Sequence, residues 1–227
     1  MSFTLFYAPG SIATIPHVLL EEMGVPYQLR RLDPPGDPSI VQDSQTGNPT
    51  GRVPALADDN MAIFETGAIL LHLASKPQAK DFAPAYGTAE YAKFLQWLFY
   101  LITTAQPTVL EYVHPEWWTH NRDEQAKLRK RAASRLSIQC NLLEAHVSDG
   151  SFLFQGYSVL DMYLTELARW SADLSSPIWS WKKLGKIVEA TRQRPAFKRM
   201  LQQQSLIWPG ETDPKATQRV RFMDWWS

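Results

Sequence analysis

A single cysteine, Cys140, stands among 227 residues, and that scarcity excludes two ways of holding a chain together. One thiol cannot form an intrachain disulfide, nor supply the ligands of a cysteine-only zinc site. A reducing compartment is the expected setting. Charge of one sign is also not in excess, since Lys and Arg number 23 and Asp and Glu number 23. No global basic field therefore draws in nucleic acid or anionic lipid. Arg129-Lys130-Arg131 falls in a helical pattern and reads as a solvated face. Long apolar runs are lacking too, and no stretch approaches the ~20 residues a membrane helix requires. The segment Met1 to Gly10 has no basic start and is broken by Pro9, so it does not read as a secretory signal. The five histidines, at 17, 72, 114, 120 and 146, are not spaced as paired metal ligands. Neither Gly-x-Gly-x-x-Gly nor Gly-x-x-x-x-Gly-Lys occurs, so nucleotide binding has no support. The expectation is a cytoplasmic protein with no metal, nucleic-acid or membrane partner.

What is present is material for a core: 44% hydrophobic and 12% aromatic residues, in a chain long enough for one or two domains. Phe3 to Tyr7 is a run of β-formers closed by Pro9-Gly10. Apolar residues at Ile15, Val18, Leu19 and Met23 then keep helical spacing, and Gly24-Val25-Pro26 ends that helix. Tyr27 to Leu32 alternates as a half-buried strand should. After a loop from Pro34 to Thr50, Val53 to Ala57 and Met61 to Phe64 flank Asp58-Asp59-Asn60 as a hairpin, and a helix from about Thr66 to Ser75 follows. The order β-α-β-β-β-α implies a small mixed sheet with helices on it. Lys76 to Gly87 reads as a linker. Beyond it all periodicity is helical. Tyr91, Phe94, Leu95, Leu98, Leu101, Ile102 and Ala105 form one stripe; Leu128, Ala132, Leu136, Cys140, Leu143 and Val147 form another. Cys140 is thus expected to be buried and uninvolved in chemistry. Ser158-Val159-Leu160-Asp161 is a capping box opening a buried helix. Further helices are expected from Trp179 to Thr191 and from Pro195 to Gln203, before a Trp-rich tail from Phe222 to Trp226. The domains are placed at 1–78 and 88–227, with 79–87 between them.

This succession, with Gly51-Arg52-Val53-Pro54-Ala55-Leu56 before the hairpin and Glu65-Thr66 opening the next helix, resembles the cytosolic glutathione transferase family over nearly the whole chain. Leu5-Phe6-Tyr7-Ala8-Pro9-Gly10 with Pro16-His17 downstream is most similar to the bacterial beta class. The resemblance implies a thioredoxin-like N-terminal domain, an all-helical second domain, glutathione as co-substrate, a homodimer, and transfer of the thiol to a small hydrophobic electrophile. It also implies a cis peptide between Val53 and Pro54 and backbone pairing of Val53 with the cysteinyl part of glutathione, a one-residue strand addition. Glu65 offers a carboxylate for a ligand ammonium, and Thr66 a hydroxyl and first-turn amides for a ligand carboxylate. On spacing alone, the commoner reading is Thr66 as a plain N-cap and Glu65 as a solvated carboxylate; the resemblance reverses that order. Arg52 can pair with a ligand carboxylate or remain a surface arginine.

The sulfur-activating group belongs in the loop from Ala8 to Thr14, because a thiol of pKa near ~8.5 needs help to ionise at neutral pH. Here the chain departs from its relatives: the beta-class catalytic cysteine aligns at Ile12 and the serine that often follows it at Ala13. The donors considered are, in order, Ser11, Tyr7 and Thr14. Pro16 must lie in the first turn of its helix, which makes Thr14 the expected N-cap. His17 is not assigned a role. Tyr100, Thr103 and Gln106 are expected to line the second-substrate site at the domain junction, with Thr104, Pro107, Trp117, Trp118 or the tail tryptophans as further wall. Two alternatives stay open on the same scaffold. One is a glutathione-binding or interaction protein that has lost thiol activation; the other is glutathione-dependent ether cleavage, dehalogenation or isomerisation.

Overall fold

The computed structural model describes residues 2–32, 48–58, 61–152 and 156–211. The expected loop before Asn48, the centre of the hairpin turn and the Trp-rich tail lie outside them. The chain divides into two compact units, Met1–Lys80 with the segment from Arg194, and Asp81–Gln193.

In the first unit, β1 (Phe3–Tyr7), α1 (Thr14–Met23), β2 (Tyr27–Arg31), β3 (Ala55–Asp58), β4 (Met61–Phe64) and α2 (Thr66–Ala74) follow in that order. The sheet order is β2-β1-β3-β4, with β1 parallel to β2 and the other two pairs antiparallel. This is the expected thioredoxin-like arrangement. A parallel pair needs a crossover, and α1 supplies it. On α1, Ile15, Val18, Leu19 and Leu20 are each at most 2% exposed, contributing about 1.5–3 kcal/mol apiece. Gly24, at φ 62°, ends the helix in the left-handed conformation that glycine adopts without a Cβ penalty. Strand β3 begins at Ala55, two residues later than the apolar run, because Pro54 has no N–H to give a ladder.

The helix from Pro195 to Gln203, α8, belongs to this unit, so the domain expectation of 88–227 differs from the structure beyond Gln193. Its apolar face, Ala196, Phe197 and Met200, is buried. Arg194 pairs with Glu22 (Nε to Oε1, 2.5 Å) and Arg199 with Glu21 (Nε to Oε2, 2.5 Å), both on α1. Periodicity shows that a helix has an apolar face but not which core receives it.

The second unit is helical, with α3 (Ala89–Tyr100), α4 (Gln106–Val113), α5 (Arg122–His146), α6 (Val159–Trp170) and α7 (Lys182–Gln193). The stripe from Tyr91 to Ala105 is buried or half-buried, but the helix that carries it changes its hydrogen bonding before Gln106. Leu101–Ala105 form a π-helical turn in which the Gln106 amide donates to the Leu101 carbonyl. Pro107 accounts for it: the ring cannot donate to the preceding turn and crowds it, so the helix widens. Along α5, Ala132, Leu136, Cys140 and Leu143 are buried. Burial and the neighbouring Glu144 push the Cys140 thiol up to about 12, which fits an inert core residue. The capping box forms as expected, with Asp161 accepting from the Ser158 amide and hydroxyl (2.8 Å each) and from Phe152 N–H (2.7 Å). Helix α7 starts later than expected, and its first turn is capped from α5, where Glu144 accepts from the Lys183 and Leu184 amides (2.9 and 3.1 Å). Gly185 lets the Trp179 carbonyl approach to 2.4 Å from where a Cβ would stand.

Candidate functional site

The sheet register brings three separate stretches to one end of the first unit. Phe6 lies opposite Ala55, and Ala55 opposite Phe64. One step further, the end of β1, the Val53-Pro54 step and Glu65 therefore meet at the same end of the sheet.

The Val53–Pro54 peptide is cis, as the resemblance implied. The turn ahead of it is held by Asn48, which is 5% exposed and was missed in the sequence. Its amide donates to the Arg52 carbonyl (2.6 Å), and its own carbonyl accepts from the Thr50 amide (2.9 Å) and hydroxyl (2.7 Å). Gly51, at φ 69°, allows this turn. Only the Asn-x-Thr spacing hints at it, as an Asx turn. Pro54 is buried, Val53 half-buried, and the Arg52 side chain exposed. The β1–β3 pairing stops at Ala55, so Val53 lies just beyond the ladder.

Glu65 has φ 71° and ψ 119°, a conformation rare for a residue with a side chain. It occupies the N-cap of α2 without a side-chain cap bond, and it is exposed. Thr66 is the first helical residue and 8% exposed, so the plain N-cap reading of Thr66 does not hold. The first turn of α2 has neither a side-chain cap nor an acidic residue, leaving its amide end suited to an anion.

The loop before α1 is organised differently. Ser11 is 8% exposed; its hydroxyl donates to the Ala8 carbonyl (2.7 Å) and accepts from the Ala13 amide (3.3 Å). Thr14 is helical rather than a cap, and its hydroxyl donates to the Ser11 carbonyl (3.1 Å). Ala13 takes the N-cap position without a side-chain bond. The correction follows from geometry: Pro16 at the third helical position is still in the first turn, so it leaves room for Thr14 inside the helix. Tyr7 is 8% exposed at the end of β1, with its ring centroid 6.5 Å from that of His17. Ile12 and Ala13 are buried.

Behind the loop lies a polar cluster that the sequence did not reveal. His17 is fully buried. Its Nδ1 accepts from Gln204 Nε2 (2.9 Å), and its Nε2 lies 2.6 Å from Gln203 Oε1 and 3.0 Å from the Tyr27 hydroxyl. Gln204 Oε1 accepts from the Gly10 amide (3.2 Å). Burial lowers the His17 pKa to about 4, against the raising effect of Gln203 and Glu21, so the imidazole is neutral. Burial raises Glu21, but hydrogen bonds from Tyr27, Arg199 and Gln203 outweigh it and hold the carboxyl below its usual range. Tyr27 is raised by burial and by Glu21, to which it donates.

Of the residues expected to meet a second substrate, all three lie on one helical run of the second unit. Tyr100 ends α3, edge-on to Trp97 at 5.5 Å. Thr103 is exposed in the π turn, its hydroxyl donating to the Phe99 carbonyl (2.8 Å). Gln106 accepts from the Tyr163 hydroxyl of α6. Trp117, stacked on His114 at 4.4 Å, and Trp118 are 41% and 49% exposed. Among the described residues, no three His, Cys, Asp or Glu side chains cluster as a metal site, and no helix is long and apolar enough to cross a membrane.

Comparison with known proteins agrees with this geometry. Residues 1–75 match the model of the glutathione S-transferase N-terminal domain. The chain is similar to glutathione S-transferase GstA of Escherichia coli O157:H7, with 26% identity over 211 residues, 89% of this chain and 98% of that one. It is also similar to the protein URE2 of Eremothecium gossypii, at 34% over 103 residues, but spans only 29% of that protein. A bacterial beta class glutathione S-transferase from Sphingomonas chungbukensis and a sphingomonad glutathione S-transferase complexed with glutathione each superpose with a TM-score of 0.75. Both are 25% identical, with 90% of this chain and 100% of theirs covered.

Proposed function

We propose, from the premise that this chain carries an N-terminal domain of the glutathione S-transferase family and the two-part fold of its bacterial beta-class members, that it binds glutathione and transfers its sulfur to a hydrophobic electrophile. The observation that carries the reading is the register that gathers cis Val53–Pro54, exposed Glu65 and the uncapped start of α2 at one end of the sheet. Val53 pairs with the cysteinyl backbone. Glu65 takes the γ-glutamyl ammonium, and Thr66 with the α2 amides takes its carboxylate. Arg52 and Pro54 flank the tripeptide.

The sulfur then reaches the loop before α1. Ser11 is the first-ranked donor, ahead of Tyr7 and Thr14, and turning its hydroxyl from the Ala8 carbonyl toward the sulfur stabilises the thiolate. The thiol proton leaves to solvent, the thiolate attacks the electrophilic carbon, a C–S bond forms, and the leaving group departs with its electron pair. Tyr100, Thr103 and Gln106 are the proposed contacts of the electrophile. The protein acts in the cytoplasm as a homodimer.

A second reading has a specific basis. The hydroxyls of Ser11 and Thr14 are already donated to backbone carbonyls, and Ile12 stands where a sulfur would be expected. A scaffold that binds glutathione without activating it fits those bonds. Calorimetry with glutathione, paired with an ultraviolet titration of the bound thiol, separates the two. Binding with a thiol pKa well below that of free glutathione supports the transferase, and Ser11→Ala, Tyr7→Phe and Thr14→Val then locate the donor. Binding with an unshifted thiol supports the scaffold. Failure to bind overturns both.

A further inference from the structure

We infer that Gln204 is a positioning residue for the loop ahead of α1: its side-chain carbonyl anchors the Gly10 amide, and a neutral His17 dictates which way the Gln204 amide faces. The inference deepens the glutathione reading and rests on it for its catalytic half.

Gly10 has φ 73°, and its amide donates across 194 positions of sequence to Gln204 Oε1 at 3.2 Å in a buried setting. A glutamine amide can present either its oxygen or its NH2, so something must decide. Gln204 Nε2 lies 2.9 Å from His17 Nδ1, and an imidazole nitrogen accepts there only when the proton sits on the other nitrogen. His17 Nε2 faces Gln203 Oε1 at 2.6 Å, an acceptor, which places the proton on Nε2. Gln203 is oriented in turn, because its Nε2 donates to Glu21 Oε1 at 2.9 Å. Glu21 is held by Arg199 and Tyr27. Donation thus runs in one direction from Gly10 through Gln204, His17 and Gln203 to Glu21, the carboxylate that also accepts from Arg199 and Tyr27. Each orientation is fixed by the next, from the exposed Glu21–Gln203 bond to the buried His17–Gln204–Gly10 end.

The far end of this chain of bonds bears on the sulfur-facing loop. Ser11 follows Gly10 directly, and the turn is closed by Ser11 N–H to Ala8 O and Thr14 N–H to Ser11 O, both at 3.1 Å. Anchoring Gly10 therefore sets where the Ser11 hydroxyl and the neighbouring amides stand. The residue at the C-cap of helix α8 becomes part of the active-site support through its side chain.

The test uses the full chain with Gln204→Leu and Gln204→Glu. Hydrogen exchange without glutathione reads the anchor alone. In Gln204→Leu the Gly10 amide should exchange about tenfold faster, the loss of one hydrogen bond, while core amides of α1 and α8 keep their rates. Gln204→Glu, which retains an acceptor, should restore part of that protection. With glutathione, Gln204→Leu should raise the bound thiol pKa toward the free value and lower kcat, with its affinity for glutathione little changed. Unaltered Gly10 exchange, or faster exchange throughout the first unit alike, overturns the anchor. Faster Gly10 exchange with an unmoved thiol pKa overturns the catalytic half while the glutathione reading stands. If the unaltered chain does not bind glutathione, that reading and the catalytic half fall together, whereas the exchange result still decides the anchor.

Discussion

The two sides of the candidate site present the same kind of element, a helix N-terminus without a side-chain cap, and treat it in opposite ways. At α2, Glu65 turns outward at positive φ and its side chain makes no cap bond to the first turn. At α1, Ser11 and Thr14 fold their hydroxyls back onto Ala8 and Ser11 carbonyls, and Gly10 is tied to Gln204. Backbone is thus left open on the α2 side, whereas the α1 side is closed by local bonds and tied to Gln204. Binding should consequently be sturdier to mutation of the loop, and activation more sensitive to what lies behind it.

Acid tests the buttress, and the expected effect is the largest. The folded His17 pKa of about 4 lies below the usual 6.5, so the unfolded chain binds more protons in that interval. Stability therefore falls as pH drops from 6.5 toward 4, by on the order of 3 kcal/mol once below both values. Glu21, held below its usual range, adds loss in the same direction at lower pH. Denaturant melts at several pH values should show this slope, and His17→Gln should flatten it. A wild-type slope equal to that of His17→Gln would remove the neutral histidine from the account.

Glu65→Gly sharpens the comparison from the open side. It deletes the proposed ammonium partner, so glutathione affinity should fall by roughly 2–3 kcal/mol, on the scale of a charge-assisted bond. It also relieves the positive φ, so the melting temperature should hold or rise. Lower affinity together with a lower melting temperature would mean that Glu65 serves the fold rather than the ligand.

The smallest expected effect on stability comes from Ile12→Cys, which replaces a side chain at the rim of the loop, 9% exposed, at a cost of about 1–2 kcal/mol. Its signature is chemical: a mixed disulfide with glutathione, detected by mass spectrometry, with a thiol pKa below ~8.5 near the helix start. Absence of that adduct in a variant that still binds glutathione would place the sulfur away from Ile12.

Local signals carried through to the structure where their partners are close in sequence. The capping box of Ser158 and Asp161 and the termination of α1 at Gly24 involve bonds or dihedrals within a few residues. The β-α-β-β-β-α order follows from short patterns of the same kind. Thr14 was misread as a cap because proline constrains only the first turn as a whole, and Pro107 was the unread sign of the π turn.

By itself the sequence determined the element types and the glycine and proline positions where the backbone turns, since these depend on side-chain chemistry and near neighbours. Only the tertiary structure decided that α8 belongs with the first unit and that His17 stays neutral. It alone joined Gln204 to Gly10 across the whole chain. A buried polar group takes its role from the donors and acceptors that packing places around it, and no window of sequence contains them.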